Sequence, residues 1–443
     1  MTGMNPKGTS KLGRHSLGST FDCACGQTHS LPIRVCSIGY DAASQLGNYA
    51  RQNMGDSCFV VSDENTRLAG GTDVLDALTA SGKTIQEHVY PGKPFEATEE
   101  LGEEVRTLVG DADFLVGIGS GTICDLVKYA GDKLNKPVLL YATAASMNGY
   151  TSAITAMKVR GLKRTLPCRP AEAVFGNPEH AATAPQRMTA AGVADFLSKC
   201  SSSTDWRAAH LLQGSYYCDK PREFFEGSQD RLLAAAPKIG EGDPEAIKEI
   251  LDALFLSGCS MVIAGSSAPA SGGEHLISHY LDMKAALYDL PNDLHGTQVG
   301  VATVYCLGLW ERILELDPAD LDAEVLASRQ PSNDTIRQWI QDDWGDKVGA
   351  EVQAQWNEKA QSPEDFAKSI HVFKERFAEL QRDLPLDLLP ASTVAEAIEA
   401  AGGPTRPEDL FAPLEEYHNA QLRARYIRNR FTVLDLAQDL GLT

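Results

Sequence analysis

Three residues in the second half of the chain have side chains that could bind one metal ion, namely Asp195, His275 and His295. Two imidazoles and one carboxylate suit Zn²⁺, Ni²⁺ or Fe²⁺, and such a set leaves a coordination position open for a substrate oxygen. A metal bound in this way polarises a carbonyl or lowers the pKa of an alcohol, which hydride transfer requires. The spacings of 80 and 20 residues follow no ligand-spacing rule, however. A single histidine on a helix is more often a surface or core residue.

A second candidate site is a glycine-rich turn that follows a short apolar run, Phe114 to Ile118. The turn is Gly119-Ser120-Gly121-Thr122, and the residues from Ile123 to Leu134 have helical spacing. Glycines let the backbone approach an anion closely, and the first N–H groups of a helix carry partial positive charge. The pattern therefore predicts a seat for a pyrophosphate, although many such turns hold glycines for chain geometry alone.

The elements that must position these residues read as alternating strands and helices from Ser57 to Tyr141. This order predicts a Rossmann-like α/β domain, a parallel sheet with helices on both faces, followed from Pro185 by an all-α region. Pro178 ends the last predicted strand, so we place a nucleotide-binding domain at 21–178 and a helical domain at 179–443. Residues 1–20 are polar and lack an apolar core, which predicts a disordered leader rather than a secretory signal.

Polar side chains follow two of the predicted strands. Small and hydroxyl side chains run from Thr143 to Ser152, just after the strand that ends at Tyr141. This composition is typical of a cleft at the carboxyl ends of parallel strands, where open α/β sheets bind ligands. Asp63 ends an earlier strand and is placed to accept hydrogen bonds from an adenosine ribose. A helix N-cap is an equally good interpretation of Asp63, since aspartate is favoured at that position.

The motif from Cys23 to His29, CACGQTH, contains three potential metal ligands, Cys23, Cys25 and His29. A structural zinc site needs four ligands, and no second cysteine pair with suitable spacing lies nearby. We therefore favour a β-hairpin that turns at Cys25-Gly26. The ten cysteines of the chain are scattered, several of them within apolar runs. Their distribution indicates buried, reduced thiols in a cytoplasmic protein rather than a disulfide framework.

The composition argues against several functional classes. The net charge of −20 disfavours binding to nucleic acid or to an anionic membrane, because both require a basic surface. No segment contains 18 consecutive apolar residues, so a membrane span is not expected. A small anionic substrate remains compatible with the charge, since a local basic pocket can lie in an acidic protein.

Seven motifs together resemble the sn-glycerol-1-phosphate dehydrogenases, in particular their bacterial AraM-like branch. That family belongs to a larger group with iron-containing alcohol dehydrogenases, glycerol dehydrogenase and 3-dehydroquinate synthase. The motifs lie between about residues 20 and 310 and read CACGQTH, VVSDENT, GIGSGTICDLVKY, ATAASMNGYTS, AAGVADFLSKCSSSTDW, SGGEHLISHYLDM and HGTQVGVATV. The resemblance implies a dehydroquinate synthase-like fold, NAD(H) or NADP(H), one divalent metal (zinc or nickel, or else iron) and a homodimer or larger homo-oligomer.

The resemblance also implies a role for each candidate residue. Asp195, His275 and His295 would bind the metal. The cofactor would be contacted by Asp63 at the ribose, by Gly119, Ser120, Gly121 and Thr122 at the pyrophosphate, and by Thr143, Ser146 and Ser152 on the nicotinamide side. Asp125 would contact the substrate or the cofactor, and Asn148 would meet the substrate. Lys199 and His279 would contact the substrate or support the residues that bind the metal.

Asn148 departs from the pattern of the family, which usually reads Ser-x-Asp-Gly where this chain reads Ser146-Met147-Asn148-Gly149. The aspartate is thought to bind substrate hydroxyls, and an amide keeps hydrogen-bonding capacity but loses the charge. We expect a metal-dependent, NAD(P)H-linked dehydrogenase that interconverts dihydroxyacetone phosphate, a small phosphorylated substrate, and sn-glycerol 1-phosphate. The alternatives are a dehydrogenase for another polyol or polyol phosphate and a sugar-phosphate cyclase like 3-dehydroquinate synthase.

Overall fold

The computed structural model describes residues 16–160 and 162–443, and the chain divides into two compact units. The first unit takes in the described residues up to 196, together with 218–267 and 400–403. The second takes in 197–217, 268–399 and 404–443. The predicted boundary at Pro178 marks the end of the strands, whereas the first unit also includes helical segments that follow them.

The strands of the first unit are short, and those at the centre of its main sheet consist mostly of apolar residues that suit a pleated, buried surface. In chain order they are β1 (Ser19–Asp22), β2 (Thr28–Leu31), β3 (Val35–Ile38), β4 (Ser57–Asp63), β5 (Thr84–Tyr90), β6 (Phe114–Gly119), β7 (Val138–Ala142), β8 (Ile154–Val159), β9 (Leu162–Pro167) and β10 (Ala173–Gly176). Six of them form one sheet in the order β3-β10-β7-β6-β4-β5, and every neighbouring pair is parallel. The predicted parallel sheet is confirmed.

Helices connect these strands and make up most of the rest of the described chain. The earlier ones are α1 (Ala42–Asn53), α2 (Glu64–Thr66), α3 (Thr72–Ala80), α4 (Glu99–Leu108), α5 (Gly121–Leu134), α6 (Pro178–Ala182), α7 (Gln186–Leu197), α8 (Lys199–Gln213), α9 (Lys220–Glu223), α10 (Ser228–Gly240) and α11 (Pro244–Ala264). The later ones are α12 (Gly273–Tyr288), α13 (His295–Leu314), α14 (Ala323–Arg329), α15 (Asn333–Asn357), α16 (Pro363–Asp383), α17 (Ala391–Ala400), α18 (Leu414–Arg423) and α19 (Val433–Asp439). The helical region predicted from Pro185 onward is confirmed. Within the described ranges, no helix combines the length and apolar character needed to cross a bilayer.

The side of the sheet on which successive strands are added changes at β4, which has β5 on one side and β6 on the other. The crevice at the carboxyl ends of β4 and β6 is therefore a topological switch point, where open α/β sheets bind ligands. Val61 of β4 lies opposite Gly117 of β6, two residues before each strand ends. The fold thus places Asp63 and Gly119, the last residues of these strands, at the same edge of the sheet.

Two glycines allow the centre of the sheet to pack closely. All residues of β6 and β7 are buried, as their apolar sequences predict. A β-carbon at Gly117 would lie 2.8 Å from Leu140 Cδ2, and one at Gly119 would lie 2.7 Å from Ile123 Cβ of α5. Both distances are too short for carbon atoms in contact. A larger residue at Gly119 would therefore push α5, and with it the glycine turn, away from the sheet.

At the start of the chain, the structure adds two elements that the sequence did not predict, corrects the predicted leader and confirms the predicted hairpin. Val35–Ile38 forms β3 at the edge of the sheet and α1 follows it, although neither element was predicted. Four half-buried residues give no clear periodicity, which explains the omission. The predicted leader at 1–20 lies outside the described residues up to residue 15, and its last two residues belong instead to β1. The hairpin predicted at Cys25-Gly26 is confirmed, since β1 and β2 pair antiparallel around it.

In the second unit, a buried carboxylate connects the helices that carry the candidate histidines. Asp205 of α8 accepts a hydrogen bond from Gly273 N at the start of α12, at 2.7 Å, and another from Trp310 Nε1 of α13, at 3.0 Å. Burial raises the pKa of Asp205 well above its usual range and the Glu274 charge raises it further, although the hydrogen bonds lower it. Asp205 therefore helps to fix α12, which packs against α13.

Candidate functional site

The glycine turn leaves the start of α5 open to a ligand. Ser120 precedes the helix, and no side chain of the described residues caps it. The first intrahelical bond is donated by Cys124 N to Ser120 O, so the N–H groups of Gly121, Thr122 and Ile123 have no partner within the helix. A β-carbon on Gly121 would meet no atom within 4 Å. The turn therefore offers an anion unpaired N–H groups, the positive end of a 14-residue helix and room to approach.

Two further predicted cofactor residues lie beside this turn. Ser146 Oγ is 2.5 Å from Ser120 Oγ, and Thr143 N donates to Gly119 O at 3.2 Å. Thr143 is buried, whereas Ser146 is half-buried. Thr122 Oγ1 donates to Phe95 O at 3.3 Å. The residues after β7 are thus hydrogen-bonded to the turn after β6.

Asp63 has the geometry of a helix N-cap, one of the two roles that the sequence allows for it. Its Oδ1 accepts hydrogen bonds from Asn65 N at 2.8 Å and Thr66 N at 2.9 Å. The Thr66 hydroxyl also accepts from Asp63 N, which completes a capping box at the start of α2. Both capping bonds use the same carboxylate oxygen, so the N-cap does not exclude a ribose contact through Oδ2. That contact stays a prediction.

A buried lysine that the sequence analysis overlooked anchors the loop after β7. The Lys128 ammonium, fully buried on α5, donates to Gly149 O at 2.7 Å, Ile154 O at 2.5 Å and Ser152 O at 3.2 Å. Ser152 is itself fully buried, so its side chain supports this loop, and a cofactor contact by Ser152 stays a prediction. The spacing of Lys128 three residues after Asp125 was a signal of this role, since such a pair lies on one face of a helix.

Asp125 lies one helical turn before this lysine, with its Oδ1 4.0 Å from Lys128 Nζ. Burial raises the pKa of the Asp125 carboxyl to about 6, although the Lys128 charge and a backbone hydrogen bond from Ala156 lower it. The carboxyl therefore titrates close to neutral pH, as groups that handle protons or substrates often do.

Asn148 contacts the candidate ligand Asp195 through its backbone. Asn148 N donates to Asp195 Oδ2 at 3.2 Å, and its side-chain Nδ2 donates to Ser257 Oγ of α11 at the same distance. Asp195 is only 2% exposed. The contact that orients Asp195 therefore does not depend on whether residue 148 is asparagine or the aspartate usual in the family.

Three histidines of α12 and α13 lie close together in the second unit. The ring centroids of His275 and His295 are 5.1 Å apart, and the ring of His279 is 5.6 Å from that of His295. His275 lies in the first turn of α12, and His295 is the first residue of α13. The structure thus brings together three predicted site residues from two helices.

Hydrogen bonds fix which nitrogen of each candidate histidine can bind a metal. His275 Nδ1 lies 2.9 Å from Glu274 Oε1, and an ionised carboxylate only accepts, so Nδ1 carries the proton. His295 Nδ1 lies 2.9 Å from Ser278 Oγ, whose own proton goes to Gln298 Oε1 at 2.7 Å. Nδ1 therefore donates in both rings. In the neutral form of each ring, Nε2 is then the unprotonated nitrogen, as metal ligation requires.

Glu274 is the strongest of the supporting residues that the sequence analysis did not identify. Its carboxylate is fully buried, and besides His275 it accepts from Ser201 Oγ at 2.8 Å and from Gly272 N at 2.7 Å. Burial alone would raise the pKa of Glu274, but the hydrogen bond from His275, and the charge of that ring when it is protonated, outweigh burial, and the pKa is lowered. Its position directly before His275 in GGEH was a signal, since metal-binding histidines usually donate their second N–H to a carboxylate or carbonyl.

Lys199 is fully buried at the start of α8. Its ammonium donates to Ser198 Oγ and to Ala270 O, each at 3.1 Å. Ala270 precedes the start of α12 by three residues. The observed bonds therefore link Lys199 to the segment that leads into the histidine-bearing helix, and its contact with substrate stays a prediction.

Two groups of side chains in the described part of the chain could hold a metal ion. One is the predicted set, Asp195, His275 and His295. Its one oxygen and two nitrogen donors suit zinc, nickel or iron. The other consists of Cys23, Cys25, His29 and Cys218 and was not predicted in full.

Comparisons with known proteins show which families the chain resembles. A family model described as iron-containing alcohol dehydrogenase matches residues 37–185. The chain is 30% identical to a glycerol-1-phosphate dehydrogenase (NAD(P)+) of Bacillus licheniformis over 327 residues, which cover 72% of this chain and 82% of that protein. It is 33% identical to one of Thermococcus kodakarensis over 290 residues, covering 64% and 81%.

Solved structures support the fold at lower sequence identity. A sulfoacetaldehyde reductase from Bifidobacterium kashiwanohense, crystallised with NAD+, has a TM-score of 0.57 at 14% identity and covers 94% of this chain and 97% of its own. An alcohol dehydrogenase from Oenococcus oeni has a TM-score of 0.56 at 17% identity, covering 92% and 98%. With the curated relatives matched over most of their length, the chain belongs to the glycerol-1-phosphate dehydrogenase family.

Proposed function

We propose that this enzyme reduces dihydroxyacetone phosphate to sn-glycerol 1-phosphate, reversibly, with NAD(P)H and one divalent metal held by Asp195, His275 and His295. The relatives carry the name glycerol-1-phosphate dehydrogenase (NAD(P)+). The observation that carries the proposal is the grouping of the Asp195 carboxylate with two histidines that each use Nδ1 for a hydrogen bond and therefore offer Nε2 as the ligand atom. Three protein ligands leave a position for a substrate oxygen, as catalytic metal sites do.

The metal, when bound, supplies a Lewis acid for the oxygen on C2 of the substrate. Glu274 and Ser278 keep the two imidazoles in the tautomer that binds it, and Asn148 N orients the Asp195 carboxylate. The reduction moves one hydride to C2 and one proton to its oxygen. His279, half-buried beside His295, is our candidate for holding that proton, directly or through water.

The cofactor is proposed to lie at the switch point of the sheet. The N–H groups of Gly121 and Thr122 would bind its pyrophosphate, with Gly119 and Ser120 forming the turn that lets it approach. Asp63 Oδ2 would accept from the adenosine ribose, while Thr143, Ser146 and Ser152 would shape the nicotinamide side. An acidic residue at the ribose opposes a 2′-phosphate, so Asp63 favours NAD(H) over NADP(H).

The substrate is proposed to meet Asp125 and Asn148, with Lys199 holding the segment before α12. Asn148 is the point at which a different substrate is easiest to accommodate. Its amide already donates to Ser257 Oγ, so it offers a substrate hydroxyl an oxygen acceptor without a full charge. A related polyol phosphate with another arrangement of hydroxyls is therefore the second candidate substrate.

The deciding experiment measures the oxidation of NADH and of NADPH by purified protein that has been reloaded separately with Zn²⁺, Ni²⁺ or Fe²⁺. Dihydroxyacetone phosphate is the substrate, and the product is resolved on a chiral column. We expect sn-glycerol 1-phosphate from at least one metal form. Turnover of another ketose phosphate but not of dihydroxyacetone phosphate would overturn the substrate and keep the dehydrogenase. The homo-oligomer and the cytoplasmic location inferred from the sequence stay predictions.

A further inference from the structure

A cluster of four potential ligands lies at the N-terminal hairpin, far from the candidate histidines in sequence. Cys23, Cys25 and His29 come from the hairpin β1–β2, and Cys218 comes from the segment before α9. One ligand atom from each residue lies within 4.8 Å of all the others. We propose that these four side chains bind one zinc ion with a structural role.

The distances between the ligand atoms fit a tetrahedral zinc ion. With Zn–S near ~2.3 Å and Zn–N near ~2.05 Å, tetrahedral angles separate two sulfurs by about 3.8 Å and a sulfur from a nitrogen by about 3.6 Å. Cys23 Sγ and Cys218 Sγ are 3.7 Å apart. His29 Nε2 is 3.3 Å from Cys25 Sγ and 3.5 Å from Cys218 Sγ. A disulfide between Cys23 and Cys218 would need a sulfur separation of about 2.05 Å, so the cluster is not a bonded pair.

His29 is held in the tautomer that can bind a metal. Its Nδ1 lies 2.7 Å from Ile263 O of α11, and a backbone carbonyl only accepts, so Nδ1 carries the proton. The unprotonated Nε2 then faces the sulfur atoms of Cys25 and Cys218. His29 is 4% exposed and Cys218 is 3% exposed. A carbonyl bonded to the second nitrogen is the usual support of a zinc-binding histidine.

The proposed site would carry a negative charge, and groups of Lys220 lie where they can interact with it. Zinc binding would release three thiol protons to solvent, with no oxidation or reduction, and the ion with three thiolates would carry a net charge of −1. Burial and the neighbouring thiols raise the pKa of Cys218, and the hydrogen bond from the backbone N–H of Lys220 opposes this rise by favouring a thiolate. The Lys220 ammonium bonds to Glu223 and would attract thiolates at Cys23 and Cys218 once a metal had replaced their protons.

The proposed ion would attach the hairpin to the body of the first unit. A two-stranded hairpin is marginally stable alone, and this one has only four residues in each strand. Leu31 and Ile33 pack against Phe224, Cys259 and Ile263, so the chain after the hairpin is already seated on α11 and its neighbours. The ion would fasten the other end, at the turn. Four protein ligands close the coordination shell, which is typical of structural zinc and not of catalytic zinc.

Cobalt substitution distinguishes this site from the proposed dehydrogenase metal in the full-length protein. Cobalt(II) bound to cysteine thiolates gives a sulfur-to-metal charge-transfer band in the near ultraviolet, and cobalt bound only by histidine and aspartate does not. We expect the band in the wild-type protein and in H275A/H295A, at about one cobalt per chain in the double variant. Absence of the band in cobalt-loaded wild-type protein would overturn the proposal.

Zinc content by elemental analysis gives an independent test in the H275A/H295A background. Adding C218S should reduce zinc from about one ion per chain to near zero, whereas the control C168S, at a half-buried cysteine outside the cluster, should keep it. Because C218S could misfold, C25S is measured in parallel, since Cys25 is half-buried. Zinc retained in folded C218S and C25S would contradict the site. Mass spectrometry of alkylated wild-type protein that shows a Cys23–Cys218 disulfide in place of zinc would also contradict it.

Discussion

The two groups of metal ligands differ in how completely the protein surrounds an ion. The proposed group of Asp195, His275 and His295 offers three donors, and hydrogen bonds set its orientation. Asp195 accepts from Asn148 N, while His275 and His295 donate to Glu274 and Ser278. The group of three cysteines and His29 offers four donors at tetrahedral distances. An incomplete shell needs external support but leaves room for a substrate, whereas a complete shell supports itself and excludes one.

Because of this difference, we expect the loss of one ligand to have different consequences at the two sites. Loss of a ligand from the three-donor group should remove catalysis and leave most of the fold in place. Loss of a ligand from the four-donor group should loosen the N-terminal hairpin and leave the reacting groups in place. The following tests start from the largest expected effect.

His275→Ala should give the largest loss, about 10³-fold or more in kcat/KM. A metal that polarises the substrate contributes several kcal/mol to the transition state, and each factor of ten corresponds to about 1.4 kcal/mol. Steady-state kinetics and metal content should fall together. His371→Ala, at an exposed histidine of α16, is the matched control and should retain activity and metal. Full activity of metal-free His275→Ala would remove this residue from the site.

Lys128→Met should lower the free energy of unfolding by about 3–5 kcal/mol, because it leaves Asp125 and several buried carbonyls without their cation. Denaturant unfolding measures the change. Lys133→Met, at an exposed lysine on the same helix, should change it by at most about 0.5 kcal/mol. An equally small effect of Lys128→Met would show that the loop after β7 holds its shape without the buried charge.

The parts of the site that could be predicted from sequence are local ones. The turn Gly119–Thr122 follows directly from an apolar strand and precedes a helical pattern, so its position at the start of α5 needs no tertiary information. Asp63 was also placed correctly at the end of β4, but its two interpretations could not be separated. The structure shows the N-cap, which involves residues two and three positions away.

The parts that could not be predicted depend on residues distant in the chain. Cys218 lies 189 residues after His29, so no spacing rule connects it with the hairpin. Without Cys218, the motif offers only three of the four ligands that a structural zinc site needs. The tautomer of His29 is likewise set by a hydrogen bond from its Nδ1 to Ile263 O, 234 residues away. Lys128 was not identified for a different reason. A lysine in a helix is normally expected to be solvent-exposed, and only the folded structure shows the carbonyls that accept its hydrogen bonds.

Glu274→Gln should weaken metal binding by about 10- to 100-fold, the usual cost of losing a partner of a metal-binding histidine. The amide keeps an acceptor near His275 but removes the charge that favours the metal-bound imidazole. Titration of the apoprotein with zinc measures the affinity. Ser201→Ala, which removes only the bond to the far oxygen of Glu274, should have a smaller effect. Equal effects of the two variants would indicate general disturbance of the buried cluster.

Asp125→Asn tests the raised pKa of about 6. The folded state binds this proton more tightly than the unfolded state, whose aspartate pKa is near 3.9, so the Asp125 contribution to stability is greatest below pH ~4. It should fall by at most about 3 kcal/mol as the pH rises to ~6 and then stay constant. Unfolding in urea between pH 4 and 7 should show this slope in the wild type and a shallower slope in the variant. Parallel slopes would mean that Asp125 titrates normally.

Asp63→Ala should give the smallest effect, a several-fold rise in the KM for NADH with less change for NADPH. The substitution removes an acceptor for the ribose hydroxyls, and it also removes a charge that opposes the 2′-phosphate of NADPH. It also removes the N-cap of α2, which costs about 1 kcal/mol of stability. The KM ratio of the two cofactors separates these effects, because loss of the cap displaces the site for both.

Asp63→Asn sharpens the same test, because asparagine caps a helix as well as aspartate does but carries no charge. If the carboxylate charge selects the cofactor, Asp63→Asn should shift the KM ratio toward NADPH while the thermal midpoint stays close to that of the wild type. If Asp63 acts only through the capping box, Asp63→Asn should resemble the wild type in both measurements and Asp63→Ala should raise both KM values equally. That second result would place cofactor selection elsewhere along the switch-point crevice and leave Asp63 with the structural role seen in its bonds to Asn65 and Thr66.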